Sequence, residues 1–495
     1  MKKIISNLII IMLLFTSCVD LDLVPEGSMA PKNFYLNEKD ANSAIISSYS
    51  GLTSHYIYNQ YSEVLNSQGT DDAEWGSGRN TSNADKNDLD KFTFSPETKL
   101  VYEFWRTQYT VINRCNAAID NITAMPDDAI GEAKRNNYIA EAKFIRALLY
   151  FNLVRSYGEV PLVLKETKSL EKLDVAKNTV DEVYEQIIKD LEFGESYLPL
   201  KSEYTAADAG RATKGAAMSL LAKVYLTRGE YKKVVDKTTA IMGLNEYVLW
   251  DNYADNFDLT KKNGQESIFE IQYKAGTGNP GSSYSGYFRP PFVRINGWTG
   301  YGDNPVTKNH YDAYIEGDLR RDINVRLYTR TEYPNMSTSI LFPYYCNKYL
   351  DFSPEATVEN SGNNYPVLRY SDVYLMRAEA LGMLNPADTE AYNYLNMVRR
   401  RAFGLPINTP SAIDVSPVAS KEAFQDVILY ERRLEFAFEG QRRFDLLRTN
   451  KLKEAMQAQN PSIAANILDK HMLLPVPQAE IDSNSMLEQN PKWLE

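Results

Sequence analysis

Residues 221–234 read Leu221-Ala222-x-x-Tyr225-x-x-x-Gly229-x-Tyr231-x-x-Val234, and that spacing admits few folds. Side chains three and four apart share one face of a helix. Two such faces meet here across Gly229, which suits the turn between them. Ala222 keeps the seam narrow, while Tyr225 and Tyr231 fill it. A chain with this unit makes an antiparallel helical pair, and such a pair buries its apolar face only against further pairs.

The rest of the chain supplies them. The pattern predicts helices over 38–51, 100–124, 132–157 and 180–197; in the third, Tyr138, Ala142, Ile145, Leu149 and Leu153 form one stripe. A second helical hairpin is expected at 371–384 and 388–402, broken at Asn385-Pro386. Helices at 421–438 and 441–452 follow, separated by Gly440. The 221–234 spacing is that of a tetratricopeptide unit, but the repeats are neither tandem nor uniform. The expected fold is mostly α: a tetratricopeptide-like helical-repeat scaffold with a long loop-rich insertion and a few short strands.

Residues 66–98 are rich in Asp, Asn, Ser and Gly and read as loop. Across 251–369 helical periodicity fades while Gly, Asn, Pro, Ser and Tyr rise. Strands are expected only near 267–273 and 344–349, and the aromatic load argues against disorder. The division is an N-terminal helical region at 37–250, a loop-rich ligand-binding region at 251–369, and a C-terminal helical region at 370–495 that packs back on the scaffold.

The start of the chain reads as an export signal. Lys2 and Lys3 precede an apolar run from Leu8 to Phe15, followed by Thr16-Ser17-Cys18. The run falls far short of the roughly 20 residues that cross a bilayer. Cys18 stands where a bacterial lipoprotein is cut and acylated. Residues 1–17 are then a signal peptide and 18–36 a lipidated tether, kept from helix by Pro25, Gly27 and Pro31. Phe15 departs from the Leu that the lipoprotein pattern prefers, and an unmodified thiol in an ordinary signal peptide is the alternative. Acids at Asp20 and Asp22 resemble the tethers of surface-exposed lipoproteins in Bacteroidetes-type bacteria.

Formal charge is −11, and residues 1–17 hold two lysines and no acid, so the mature chain is more acidic still. That balance argues against nucleic acid as a partner. Cys115 and Cys346 are too few for a disulfide framework; they either pair or stay as buried free thiols. The three histidines, His55, His310 and His471, lie far apart with no metal-type spacing, and no Walker loop, G-x-S-x-G or H-E-x-x-H appears. No cofactor or metal is expected. A glycosidase needs only two placed carboxylates, so Asp71, Asp72 and Glu74 beside Trp75 are its candidates, against a solvated acidic loop as the plainer reading. The chain reads as non-enzymatic.

Four segments carry a family resemblance: Glu141–Leu162, Leu368–Ala380, Glu431–Arg448, and Leu473-Leu474-Pro475-Val476-Pro477 with Asn490-Pro491-Lys492-Trp493 behind it. Together with the lipoprotein start they resemble the SusD/RagB family of outer-membrane nutrient-binding lipoproteins. The resemblance implies a lipoprotein at the outer face of the outer membrane, lying as a lid over a TonB-dependent SusC-like barrel transporter. It implies a glycan cargo, with peptide as the alternative; apart from the resemblance, a surface glycan hydrolase on helical repeats is the runner-up reading. Its charged motif, Glu431, Arg432, Arg433, Glu435, Arg442, Arg443, Asp445 and Arg448, reads as architecture: acids one helical turn apart and arginines across the Gly440 break knit two helices.

Tyr is the compositional anomaly, at 34 residues against 19 Phe and 5 Trp. A sugar offers flat, partly apolar ring faces and many hydroxyls, so its site needs exposed aromatic planes with polar groups nearby. Residues 283–304 concentrate both. Asn296-Gly297 signals a turn that presents Trp298. The expectation is a stacking platform of Trp298 and Tyr301 with Tyr287 nearby and Trp75 joining, and with Arg294, Asn296 and Asp303 supplying hydrogen bonds. The alternative is that these aromatics anchor the loop to the scaffold or the transporter.

Overall fold

The computed structural model describes residues 34–75, 84–169, 174–337 and 343–495. Cys18, the expected signal peptide and most of the expected tether lie outside them. Helices dominate, at Glu38–Gly51, Lys99–Ala124, Glu132–Tyr157, Val180–Tyr197, Lys214–Thr227 and Tyr231–Gly243, then Tyr370–Leu384, Thr389–Ala402 and Lys421–Glu435. Each packs on the next in this order, and Tyr231–Gly243 packs directly on Tyr370–Leu384, as if the residues between them were spliced out. Local chemistry sets the starts. Thr179 and Glu182 form a reciprocal capping box, with Glu182 Oε2 accepting the Thr179 N–H at 2.9 Å, and Thr213, Asp388 and Ser420 cap other helices. The turn expected at Gly229 is there, at φ +70°. Among the described residues no helix is long and apolar enough to cross a membrane.

The intervening residues leave the helical row through a neck. Strand β1 (Ser267–Ile271) pairs antiparallel with β6 (Tyr365–Arg369), so the start and end of this region meet. Between them lie β2 (Arg294–Ile295) with β3 (Trp298–Thr299), and β4 (Val325–Leu327) with β5 (Tyr344–Cys346). Part of the Tyr surplus sits beneath: Tyr284 stacks on Tyr349 at 4.9 Å and on Tyr365 at 5.2 Å, all three buried. Cys115 and Cys346 are buried free thiols, each pushed up to about 12 chiefly by burial.

Three local expectations differ from the structure. Residues 66–98, read as loop, contain the Ala84–Lys91 helix and the end of a Gln60–Ser67 helix. Their polar side chains are held by partners distant in sequence, which composition does not register. The helix expected over 441–452 is two pieces, Arg442–Arg448 and Leu452–Gln459, with Asn450 at φ +56° in the break. Asp71, Asp72 and Glu74 are buried rather than solvated.

The charged motif joins more than two helices. Glu435 accepts from Arg369 at 3.0 Å, from Arg401 at 2.5 Å and from Arg320 at 3.3 Å. Arg369 also meets Glu266 and Glu439, each at 2.8 Å, and Arg320 meets Asp318 and Glu431, each at 2.7 Å. Arg432 bridges Asp372 at 2.7 Å and Asp445 at 2.8 Å; Arg433 reaches Asp72 at 2.8 Å and Arg442 reaches Asp71 at 2.7 Å. Burial alone would raise the Glu435 carboxyl, but Arg401, Arg369 and Arg320 outweigh it and hold it well below the ordinary carboxylate range. Removing one member strands the others without counter-charge. Glu435→Ala is expected to cost about 3–5 kcal/mol of folding stability in urea titration; a loss under about 1 kcal/mol would contradict this assignment.

Candidate functional site

An exposed aromatic surface of the insertion is built on a two-residue hairpin. Asn296 (φ +50°) and Gly297 (φ +82°) both lie in the left-handed region, as a primed hairpin turn requires, and Asn-Gly is the pair that tolerates it. Ile295 is buried behind the hairpin, and the buried Arg289 donates to the Trp298 carbonyl at 3.0 Å. The Asn296 amide donates to the carbonyls of Ser353 (2.6 Å) and Ala356 (3.2 Å) and pins the turn from below. Trp298 is thereby presented 50% exposed, with Tyr301 also 50% exposed.

Tyr301 packs on Tyr287 with ring centroids 4.7 Å apart, and the Tyr287 hydroxyl donates to Glu359 Oε1 at 3.1 Å. Burial and Glu359 together push the Tyr287 phenol above its ordinary value. Arg294 is exposed, with Nη1 3.3 Å from the Gly297 carbonyl. The Gln60–Ser67 region brings a second aromatic group: Tyr56 and Tyr61 stack at 5.0 Å and 12°. Burial, then Tyr56 and Asp303, push the Tyr61 phenol up, with a smaller effect of Glu359. Trp75 is half-buried, and its indole Nε1 has no hydrogen-bond partner among the described residues.

Two residues expected to bond a ligand are otherwise engaged. Asp303 is buried, with Oδ2 2.5 Å from Lys86 Nζ and 2.6 Å from Gln60 Nε2. The Asn296 donors are spent on the turn. Both act by holding the aromatic loop, because backbone that carries exposed rings needs internal partners for its own polar groups. The structure adds aromatics that the sequence reading passed over: Tyr56, Tyr61 and Phe352, the last 69% exposed beside the Ser353 that Asn296 grips. An aromatic two residues before Pro354 in a polar loop was the available signal for Phe352.

The acidic trio is not a free carboxylate pair. Burial would raise Asp71, but Arg433 and Arg442 outweigh it; in Asp72 the opposing groups are His310 and Arg433, and both carboxyls lie below their ordinary value. Glu74 is raised by burial and accepts from Gln459 at 3.4 Å. Asp72 also meets His310 Nδ1 at 2.9 Å, deep in the core. Among the described residues no His, Cys, Asp and Glu group is arranged to hold a metal ion.

Comparison with known proteins places this architecture. Residues 331–493 match the model of the SusD family, and residues 24–226 match a model described as starch-binding associating with outer membrane. SusD-like protein P2 of Formosa agariphila is 28% identical, over 99% of each chain. The crystal structure of a SusD homolog from Bacteroides thetaiotaomicron superposes with a TM-score of 0.84 at 25% identity, covering 93% of this chain and 98% of that one. Surface glycan-binding protein A from the same organism, in complex with laminarihexaose, gives a TM-score of 0.77 at 25% identity, covering 92% and 99%. The helical scaffold with a loop-rich insertion is therefore a SusD-type fold. The chain belongs to the SusD/RagB family.

A carboxyl near Trp75 gives the region a pH dependence. Asp90 is buried and accepts from the backbone N–H groups of Gly69 (3.4 Å) and Trp75, and burial pushes it up to about 7. A folded-state value above the unfolded one contributes stability at low pH that is lost as pH rises through about 7. Glu63, also at about 7, acts in the same direction. Stability to urea is expected to fall between about pH 4 and 7, and to fall less in Asp90→Asn; an unchanged pH slope in the variant would refute the assignment.

Proposed function

We propose that this chain is a cell-surface glycan-binding lipoprotein that captures oligosaccharides and delivers them to a TonB-dependent SusC-like outer-membrane transporter. The observation that carries the binding half is the rigid Asn296-Gly297 hairpin, which holds Trp298 half-exposed with Tyr301 close in sequence and braced on Tyr287. Exposed large aromatics on a loop with spent backbone bonds are organised to meet a flat, partly apolar ring rather than to fill a core. The laminarihexaose complex of the related surface glycan-binding protein A supports a sugar as the ligand class. Trp298, Tyr301, Tyr287 and Trp75 are assigned the stacking surfaces and Arg294 a hydrogen bond to a hydroxyl. The delivery half rests on the family and on the proposed anchor: Cys18 acylation holds the binding face near a transporter mouth, with the residues up to Leu36 as tether.

Isothermal titration against a panel of neutral polysaccharides tests the binding. Trp298→Ala and Tyr301→Ala are each expected to lose about 2 kcal/mol, roughly thirty-fold, for the tightest ligand, without change in melting temperature. Wild-type affinity in both variants would overturn the site. A reducing-end assay on the same ligand is expected to show no release. Cys18→Ala is expected to move the protein from the membrane fraction to the soluble one; retention would show another tether.

A further inference from the structure

The two aromatic groups of the site come from segments more than two hundred residues apart, and one side chain touches both sides. Lys86, on the Ala84–Lys91 helix, is only 3% exposed. Its ammonium lies 2.5 Å from Asp303 Oδ2, 5.2 Å from the Trp75 ring centroid and 5.5 Å from that of Tyr61. Asp303 in turn is tied to the other group through its backbone: its N–H donates to the Tyr287 carbonyl at 2.7 Å, two residues after Tyr301 donates to Gly286 at 3.0 Å. A pull on the Asp303 carboxylate is therefore a pull on the strip that carries Tyr287 and Tyr301.

We propose that Lys86 is a positioning residue that sets the spacing between a Trp75–Tyr61 wall and a Tyr287–Tyr301 wall, and so the length of sugar chain that engages both. The inference rests on the glycan-binding reading of the site. An ammonium is suited to the task. It attracts a carboxylate on one side and aromatic faces on the other, and both attractions strengthen where water is excluded. A lysine serving only as filler would have no need of two rings and a carboxylate converging on its charge. The Gln60 amide, also on Asp303 Oδ2 at 2.6 Å, and Gln68 Nε2, on the Asp303 carbonyl at 2.9 Å, hold the same strip through neutral amide donors. They leave the loop attached when the lysine is replaced, so spacing and attachment separate experimentally.

The test compares chain lengths. Hexasaccharides of β1,3-glucose, α1,4-glucose, β1,4-xylose and β1,4-mannose are titrated into the full mature protein, and the best binder is compared with its own disaccharide. Lys86→Met is expected to weaken hexasaccharide binding about ten-fold while disaccharide affinity stays within about two-fold, and Lys86→Arg is expected to restore the hexasaccharide. Asp303→Asn, which keeps the side-chain shape and removes the charge that attracts the ammonium, is expected to weaken hexasaccharide binding in the same direction and serves if Lys86→Met does not fold. Unchanged hexasaccharide affinity in Lys86→Met, with Trp298→Ala still impaired, overturns the positioning role and leaves the site standing. Equal loss for both lengths alongside a lower melting temperature also overturns it, as a merely structural contact. No binding of any hexasaccharide by the wild type, or full binding by Trp298→Ala, overturns the site reading and this inference with it.

Discussion

Glu435 ends its helix where arginines from three other segments converge. Arg320 comes from within the insertion, Arg369 from its neck and Arg401 from the second helical hairpin. No arginine there reaches water, and each has its charge met by carboxylates. Stripped of counter-charge, such groups would be among the costliest to bury. The arrangement is therefore cooperative: the insertion, the neck and the C-terminal helices are each correctly charged only when all are in place.

This explains how a region so poor in regular structure is held on a helical scaffold. Two-residue and three-residue strands contribute little on their own. The β1–β6 neck closes the region, the ion pairs lock the neck, and Asp71 and Asp72 extend the lock to the early loop through Arg433 and Arg442. Asp71 and Asp72 also accept from Thr307, at 2.6 Å and 3.0 Å, so the early loop and the insertion are fixed to each other as well as to the core. Loops carrying Trp75 and Trp298 thus stand on a common rigid base, which is what a binding face made of separate segments needs.

Helices were the legible part of the sequence, because a stripe such as Tyr138 to Leu153 is a local signal that survives without knowledge of partners. The Asn296-Gly297 hairpin was legible for the same reason. The charged motif from Glu431 to Arg448 is buried architecture, as read, but its pairs were not legible: Arg432–Asp445 spans the helix break, while Glu431 and Glu435 meet Arg320, Arg369, Arg399 and Arg401 from distant segments. What escaped is non-local. The Ala84–Lys91 helix looked like loop because Lys86 finds its carboxylate across the fold, at Asp303. Asp303 looked like a ligand contact because nothing near it in sequence shows Lys86 waiting 217 residues away. Asp71 and Asp72 looked solvated because the arginines that neutralise them lie at the other end of the chain.

The central claim is that the aromatic hairpin face, held by the buried ion-pair spine, is where sugar binds. A crystal structure of the mature protein with its tightest-binding oligosaccharide measures this most directly. The account predicts sugar rings lying against Trp298 and Tyr301, with the Asn296-Gly297 turn unmoved. Sugar bound instead along the helical-repeat surface, with the hairpin face bare, would contradict it.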